Sequence, residues 1–197
     1  MINEWAQNVA KALETNSLID SEEIDYYRFG LELIIIVLLK TTGILVLSLL
    51  LGVLIESIVF IIFFSSLRVQ AGGSHSQSPL KCFIITCLIT FTAVYIGRLI
   101  PINYYRIIQI ILIISSLLAV YIFAPKDTPN RRLDAEEKKT YRKRSLITAV
   151  IASVVIVGIG YLIPSWHYYG NIAALALAFE GVTLIPINIK SNFKEVF

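Results

Sequence analysis

The sequence predicts an all-α polytopic integral membrane protein, with about six transmembrane helices, an N-terminal amphipathic helix and repeated helical hairpins as a candidate internal symmetry. Three observations carry this. Of 197 residues, 56% are hydrophobic, and the mean hydropathy is +0.74, whereas a soluble domain is nearer half apolar even when glycine is counted. The apolar residues also run in stretches close to the ~20 that a helix needs to cross a hydrocarbon core of ~30 Å. Finally, the 17 Lys and Arg and 14 Asp and Glu cluster between those stretches, so the charge speaks to topology and not to nucleic acid.

Residues 1–28 are polar, yet Ile2, Trp5, Ala6, Val9, Ala10 and Leu13 recur at helical spacing on one face. That is the pattern of a helix lying on the membrane surface, or packed on the protein's own cytoplasmic side. The start lacks the basic, apolar and small-residue succession of a signal peptide. Asp20 and Glu23 form a candidate capping box ahead of the first span.

The stretch 31–64 is apolar apart from Glu32, Lys40, Glu56 and a few hydroxyls. As one helix it would run roughly 50 Å, well beyond the hydrocarbon core, so it predicts two spans turning near Ser48 to Gly52. One long tilted or kinked helix is the alternative, because no Pro, Asn or Asp marks the turn. In the hairpin, Lys40 and Glu56 fall at equal depth. An unpaired charge there costs several kcal/mol, so the two are expected to pair, with Glu180 as the rival partner of Lys40.

Residues 80–100 and 104–123 read as two spans joined at Pro101, and 146–163 and 169–187 as the last two, joined at Pro164. The Lys- and Arg-rich segment 125–144 between these pairs is expected in the cytoplasm. Six spans bring that segment, Arg68, Lys81 and the C-terminal Lys190 and Lys194 to one side. Gly97-Arg98-Leu99-Ile100-Pro101 recurs as Gly160-Tyr161-Leu162-Ile163-Pro164, each followed by a tyrosine pair. The two hairpins then read as a repeat in the same orientation, with coincidence in an Ile/Leu/Tyr-rich chain as the rival. The expected organisation is an amphipathic segment, 1–28, and a transmembrane catalytic domain, 29–197.

Chemistry points to the polar, glycine-rich stretch 68–82, which holds one of two histidines, His75, and one of two cysteines, Cys82. Ser78 followed by Pro79 signals a helix start. Cys82 then falls in the first turn, where free N–H groups and the helix dipole favour a thiolate, and Lys81 adds positive charge. His75, seven residues upstream, is the candidate general base. A cysteine in a membrane helix is more often a small apolar filler, and Cys87 reads that way. On one helix, five residues apart, the two cysteines face apart and cannot bridge. His167, beside Trp166, Tyr168 and Tyr169, reads as part of an interfacial aromatic belt, and no metal site is implied.

Arg68, the Gly72-Gly73 pair, His75 and Cys82 at these separations, followed by a hydrophobic hairpin, a basic loop and a second hairpin, resemble the AgrB family of quorum-sensing membrane peptidases. The resemblance covers the whole chain in length and span order, and its specific motif lies between Arg68 and Cys82. It implies a cysteine endopeptidase of the bacterial cytoplasmic membrane with its active site near the cytoplasmic face. His75 would be the base and Cys82 the nucleophile, with Arg68, Gly72, Gly73, Gln77 and Lys81 supporting the site or binding substrate. The implied partners are the lipid bilayer and an AgrD-like precursor peptide, cleaved near its C-terminus and cyclised to a thiolactone or lactone without a cofactor. A homodimer is one candidate assembly. Asp and Glu are absent from 68–82, so orientation of His75 must come from a hydroxyl, Gln77, a backbone carbonyl or a distant carboxylate. A small transporter or peptide exporter, with Cys82 incidental, is the alternative, as is a non-catalytic sensor partner.

Overall fold

The computed structural model describes residues 2–16, 18–73, 78–126 and 133–186. These form seven α-helices and no β-strand: α1 (Ile2–Thr15), α2 (Ile24–Leu50), α3 (Leu54–Ala71), α4 (Pro79–Leu99), α5 (Tyr105–Phe123), α6 (Ala135–Leu162) and α7 (His167–Leu184). The protein is an all-α polytopic membrane protein: among the described residues α2 with its leading turn, α3, α4, α5 and α6 make 5 helices long and apolar enough to cross a bilayer. The chain divides into two compact units, Met1–Leu54 and Ile55–Phe197.

In the first unit α1 packs against α2. Ala6 and Ala10 are fully buried while Trp5 and Val9 stay exposed, so the small residues of the apolar face meet protein and the large ones do not. Asp20 makes no side-chain capping bond. In place of the expected box stands a 3-10 turn, closed by the Glu23 N–H donating to the Asp20 carbonyl at 2.9 Å. The break in the apolar stretch falls where expected, and Gly52 makes it. With φ at 66°, its N–H donates to Leu49 O at 3.1 Å and that of Val53 to Ser48 O at 2.9 Å, the Schellman closure that satisfies the last carbonyls of a helix. A Cβ in that left-handed conformation would cost about 1–2 kcal/mol, so glycine does what Pro, Asn or Asp was expected to do.

In the second unit α7 is not among the five apolar helices, yet it runs the length of the unit. Gln109 near the start of α5 donates to the carbonyl of His167 at 3.1 Å, while Arg68 near the end of α3 donates to Thr183 at 3.3 Å. Helix α7 therefore lies parallel to α3 and α5 and antiparallel to α4 and α6, a sixth helix about 27 Å long at 1.5 Å per residue. It is buried from Gly170 to Leu177 and again at Glu180, Gly181 and Leu184. Enclosed by protein, it can carry Asn171 and Glu180, which are expensive against lipid.

The surrounding helices turn apolar bulk outward. On α5, Gln109 and Ser116 are buried while Ile107, Ile110, Ile111 and Ile114 are exposed; on α6, Ala149, Ala152 and Ser153 face inward and Val150, Ile151 and Val154 outward. Lipid is as apolar as leucine, so such helices associate through small residues that allow close approach and through polar contacts. One contact of each kind joins α5 to α7. Ser116 donates to Leu177 O at 2.8 Å, and a Cβ on Gly181 would already meet Ala119 Cβ at 3.1 Å.

The two repeated glycines are used alike. Gly97 O accepts from Asn171 Nδ2 on α7 at 3.1 Å, and Gly160 O accepts from the Tyr105 hydroxyl on α5 at 3.4 Å. Each glycine carbonyl thus receives a side chain from the other hairpin, though the donors, Asn171 and Tyr105, are not at equivalent positions of the repeat. The polar segment 125–144 becomes helical at Ala135, fixed by a capping box in which Asp134 Oδ1 accepts from the Glu137 N–H at 2.7 Å and the Asp134 N–H donates to Glu137 Oε2 at 3.3 Å.

Glu56, expected opposite Lys40, has a partner that the sequence reading did not name. Glu56 forms its ion pair with Arg98. Because α3 begins at Leu54, Glu56 stands in its first turn, near a helix end and not at mid-depth, within reach of the last turn of α4.

Candidate functional site

The chain leaves α3 through Gly72 and Gly73, at φ 78° and 145°, conformations that glycine adopts freely and other residues do not. Space demands glycine as well. A Cβ on Gly72 would lie 2.6 Å from Lys126 O, and one on Gly73 would lie 2.8 Å from Arg68 Nη1, 2.9 Å from Thr183 Oγ1 and 3.1 Å from Glu180 Oε1. The Lys126 N–H donates to Ala71 O at 2.9 Å, holding the segment after α5 against this corner.

The glycines thereby lay backbone against a polar cluster drawn from three parts of the chain. Arg68 Nη1 donates to Glu180 Oε2 at 3.0 Å and to Thr183 Oγ1 at 3.3 Å, and the Thr183 hydroxyl donates to Glu180 O at 2.9 Å. The Glu180 side chain is fully buried and that of Arg68 is 21% exposed. The guanidinium also lies 5.5 Å from the centroid of the Phe64 ring, a cation–π distance. Lys126 Nζ donates to Thr183 O at 3.0 Å and Ile185 O at 3.2 Å, placing a cation where a helix exposes its last carbonyls. Burial, with the Arg68 charge beside it, pulls the Lys126 pKa below the ordinary lysine value, and Glu180 acts in the opposite sense. Arg68 holds one oxygen of Glu180. The other, Oε1, is buried with no hydrogen-bond partner among the described residues.

Helix α4 runs antiparallel to α3, its last turn meeting the first turn of α3 through the Arg98–Glu56 ion pair. Ser78 is extended and Pro79 opens the helix, but the Ser78 side chain makes no capping bond, contrary to expectation. The Cys82 N–H donates to Ser78 O at 3.0 Å, the first backbone bond of the helix, so Cys82 does sit in the first turn. The N–H groups of Leu80 and Lys81 come before that bond and have no helical acceptor by position. Cys82 and Cys87 are partly buried and not joined in a disulfide, and Lys81 is exposed.

Of the residues expected at the site, the structure brings Arg68, Gly72 and Gly73 together and sets Lys81 and Cys82 at the head of α4. His75 and Gln77 lie outside the described residues. Arg68, expected to support the site or bind substrate, is engaged by Glu180. Glu180 and Thr183 were not read as site residues, and Lys126 was read only for its charge. A lone carboxylate in an otherwise apolar last span is a signal for function, but its partner lies 112 residues away in sequence.

At the opposite end of α7, His167 Nδ1 lies 3.1 Å from Pro164 O, and its ring is 5.4 Å from that of Tyr105 and 6.0 Å from that of Tyr168. This is the aromatic cluster expected there. A cavity of about 550 Å³ opens at the same end, lined by residues that include Phe63, Ile156, Trp166 and Tyr169.

Residues 3–184 match the AgrB family, described as accessory gene regulator B. A provisionally named AgrB-like protein of Listeria monocytogenes serotype 4a (strain HCC23) is 26% identical over 171 residues, 87% of this chain and 81% of the relative. Another, from Clostridium perfringens (strain SM101), is 23% identical over 201 residues, 95% and 92% of the two chains. No solved structure matches the chain. With nearly its whole length matched and a polytopic helical fold, the chain belongs to the AgrB family, membrane proteins with a role in processing quorum-sensing peptides.

Proposed function

We infer that the protein is a cysteine endopeptidase of the bacterial cell membrane that cuts an AgrD-like precursor near its C-terminus and closes the remainder into a thiolactone or lactone. The observation that carries this reading is the position of Cys82. It lies in the first turn of α4, beside the N–H groups that a helix leaves without acceptors at its start. Support comes also from the turn at Gly72 and Gly73, which ends α3 a few residues before α4 opens. The active site faces the cytoplasm on this reading, because the basic residues after α5 and at the head of α6 lie at the same end of the bundle.

His75 takes the Cys82 proton, and the thiolate attacks the scissile carbonyl carbon. The N–H groups of Leu80 and Lys81 can donate to the oxyanion. The C–N bond breaks, the imidazolium gives its proton to the departing amine, and the precursor's N-terminal part remains as a thioester on Cys82. An internal thiol or hydroxyl of that peptide then gives its proton to His75 and attacks the thioester. The C–S bond to Cys82 breaks, and the proton returns to the Cys82 sulfur. Thioester exchange is nearly isoenergetic, so no ATP enters, but water must be kept from the acyl-enzyme, as a site at membrane depth can do. Exposed Lys81 supplies positive charge for an acidic end of the precursor.

Assaying the purified protein in lipid with its precursor tests the reading. Cys82→Ala and His75→Ala should each abolish cleavage while insertion stays intact, and Cys87→Ala should keep activity. Substantial cleavage by Cys82→Ala ends the peptidase assignment.

A further inference from the structure

Where α5 ends and α6 begins, a cavity of about 470 Å³ opens between residues 122–125 and the side chains of Lys138, Lys139 and Arg142. Lys138 and Lys139 stand four and three positions before Arg142, so the three cations share one face of α6, and like charges at these spacings repel. Arg142 is held in place. Its Nη2 donates to Tyr121 O at 3.1 Å, and its guanidinium lies 5.5 Å from the centroid of the Tyr121 ring. That bond also covers one of the last carbonyls of α5, which would otherwise oppose an anion. Among the described residues no carboxylate comes within ion-pair distance of Lys139 or Arg142, and Glu137 is turned back into the capping box at Asp134. An anion in the cavity relieves the repulsion.

Position in the fold says which anion. Tyr121 and Ile122 close the apolar span of α5, and both are exposed, as are Leu118 and Ile114 one and two turns further in. The cations therefore stand at headgroup level, at the end of an apolar stripe that faces the hydrocarbon. Basic pockets between transmembrane helices are sites for anionic lipid headgroups. A soluble anion or an acidic peptide would use the cations alone. We propose that this cavity binds one anionic phospholipid of the leaflet at the basic end of the bundle, with its phosphodiester between Lys139 and Arg142 and an acyl chain along Ile122, Leu118 and Ile114. Bound there, the lipid ties the end of α5 to the head of α6 across the polar segment between them. The site shares no residue with the Cys82 reading and stands or falls apart from it.

The test is native mass spectrometry of the full chain in detergent, titrated with phosphatidylglycerol or phosphatidylcholine. The wild type should retain one phosphatidylglycerol in preference to phosphatidylcholine. Lys139→Gln with Arg142→Gln should weaken that retention at least about tenfold, as removal of two cations at a bilayer surface implies. Lys143→Gln with Arg144→Gln, which removes the same charge from the next positions outside the cavity, should leave most of it. Glycerol 1-phosphate, the headgroup chemistry without chains, should not displace the lipid. Equal losses in the two double variants overturn the proposal in favour of a diffuse positive field, as does a wild type that shows no preference for phosphatidylglycerol. Displacement by glycerol 1-phosphate makes the cavity a site for a soluble phosphate and overturns it too. Unchanged lipid retention in Lys139→Gln with Arg142→Gln also overturns it, and if that variant loses binding of the precursor instead, the cavity is a peptide site. Should the double variant fail to fold, Lys139→Gln against Lys143→Gln decides by the same comparison, since both positions are exposed.

Discussion

Arg98, in the last turn of α4, closes an ion pair with Glu56 in the first turn of α3; the carboxylate side chain is 9% exposed and the guanidinium 47%. The two partners are therefore unequal. Without Glu56, Arg98 can swing to the interface on its long stem, but without Arg98 a nearly buried carboxylate is stranded. Arg98→Leu is expected to cost more stability in detergent than Glu56→Leu, on the order of 1–3 kcal/mol, below the range for fully buried pairs because one partner is half exposed. The double replacement should recover most of the loss. Thermal unfolding of the four proteins measures this, and losses that simply add would show that the pair does not couple.

Two glycines should respond to alanine with opposite sign. Gly72 has φ 78°, and a Cβ there would meet Lys126 O at 2.6 Å, whereas Gly158 has nothing within 4 Å. Gly72→Ala is expected to lose about 1–3 kcal/mol from backbone strain alone, with further loss as Lys126 is displaced. Gly158→Ala, in the interior of α6, should gain about 0.5–1 kcal/mol. Unfolding midpoints in one detergent compare them directly; equal effects would mean that Gly72 does not hold this corner.

The proposed thioester can be trapped. A precursor whose internal nucleophile is replaced by alanine can acylate Cys82 but cannot leave by ring closure. Intact mass spectrometry should then find a hydroxylamine-sensitive adduct on the wild-type protein and none on Cys82→Ala. Cleavage with no adduct at any time point would point to direct hydrolysis.

The apolar stretches and the Pro101 and Pro164 turns made the helices legible, because bilayer thickness limits the length of an apolar run. Gly52 was also readable, as a C-terminal signal that a search for Pro, Asn and Asp passed over. Hydropathy does not say whether an apolar residue meets lipid or protein, so the enclosure of α7 could not be read. Equal depth suggested Lys40 for Glu56, but α3 begins only at Leu54, which puts Glu56 in its first turn, where Arg98 reaches it. For the candidate site, the motif stretch gave Arg68, the glycines and Cys82. Glu180 and Thr183 join Arg68 from a helix more than a hundred residues away, a distance over which local pattern carries no information.

The enclosure of α7 bears on how the protein is made. Apolar helices such as α4, α5 and α6 can each leave the translocon for lipid on their own hydrophobicity, but α7 brings Asn171 and Glu180 with it, and ionisable groups at membrane depth oppose partitioning. Its hydrogen-bond partners, Gln109, Gly97 O and Arg68, all lie upstream in the chain, so they are already synthesised when α7 emerges. Helix α7 then enters, in a cooperative step, a cleft prepared by its predecessors, and the polar cluster is completed only as that helix arrives.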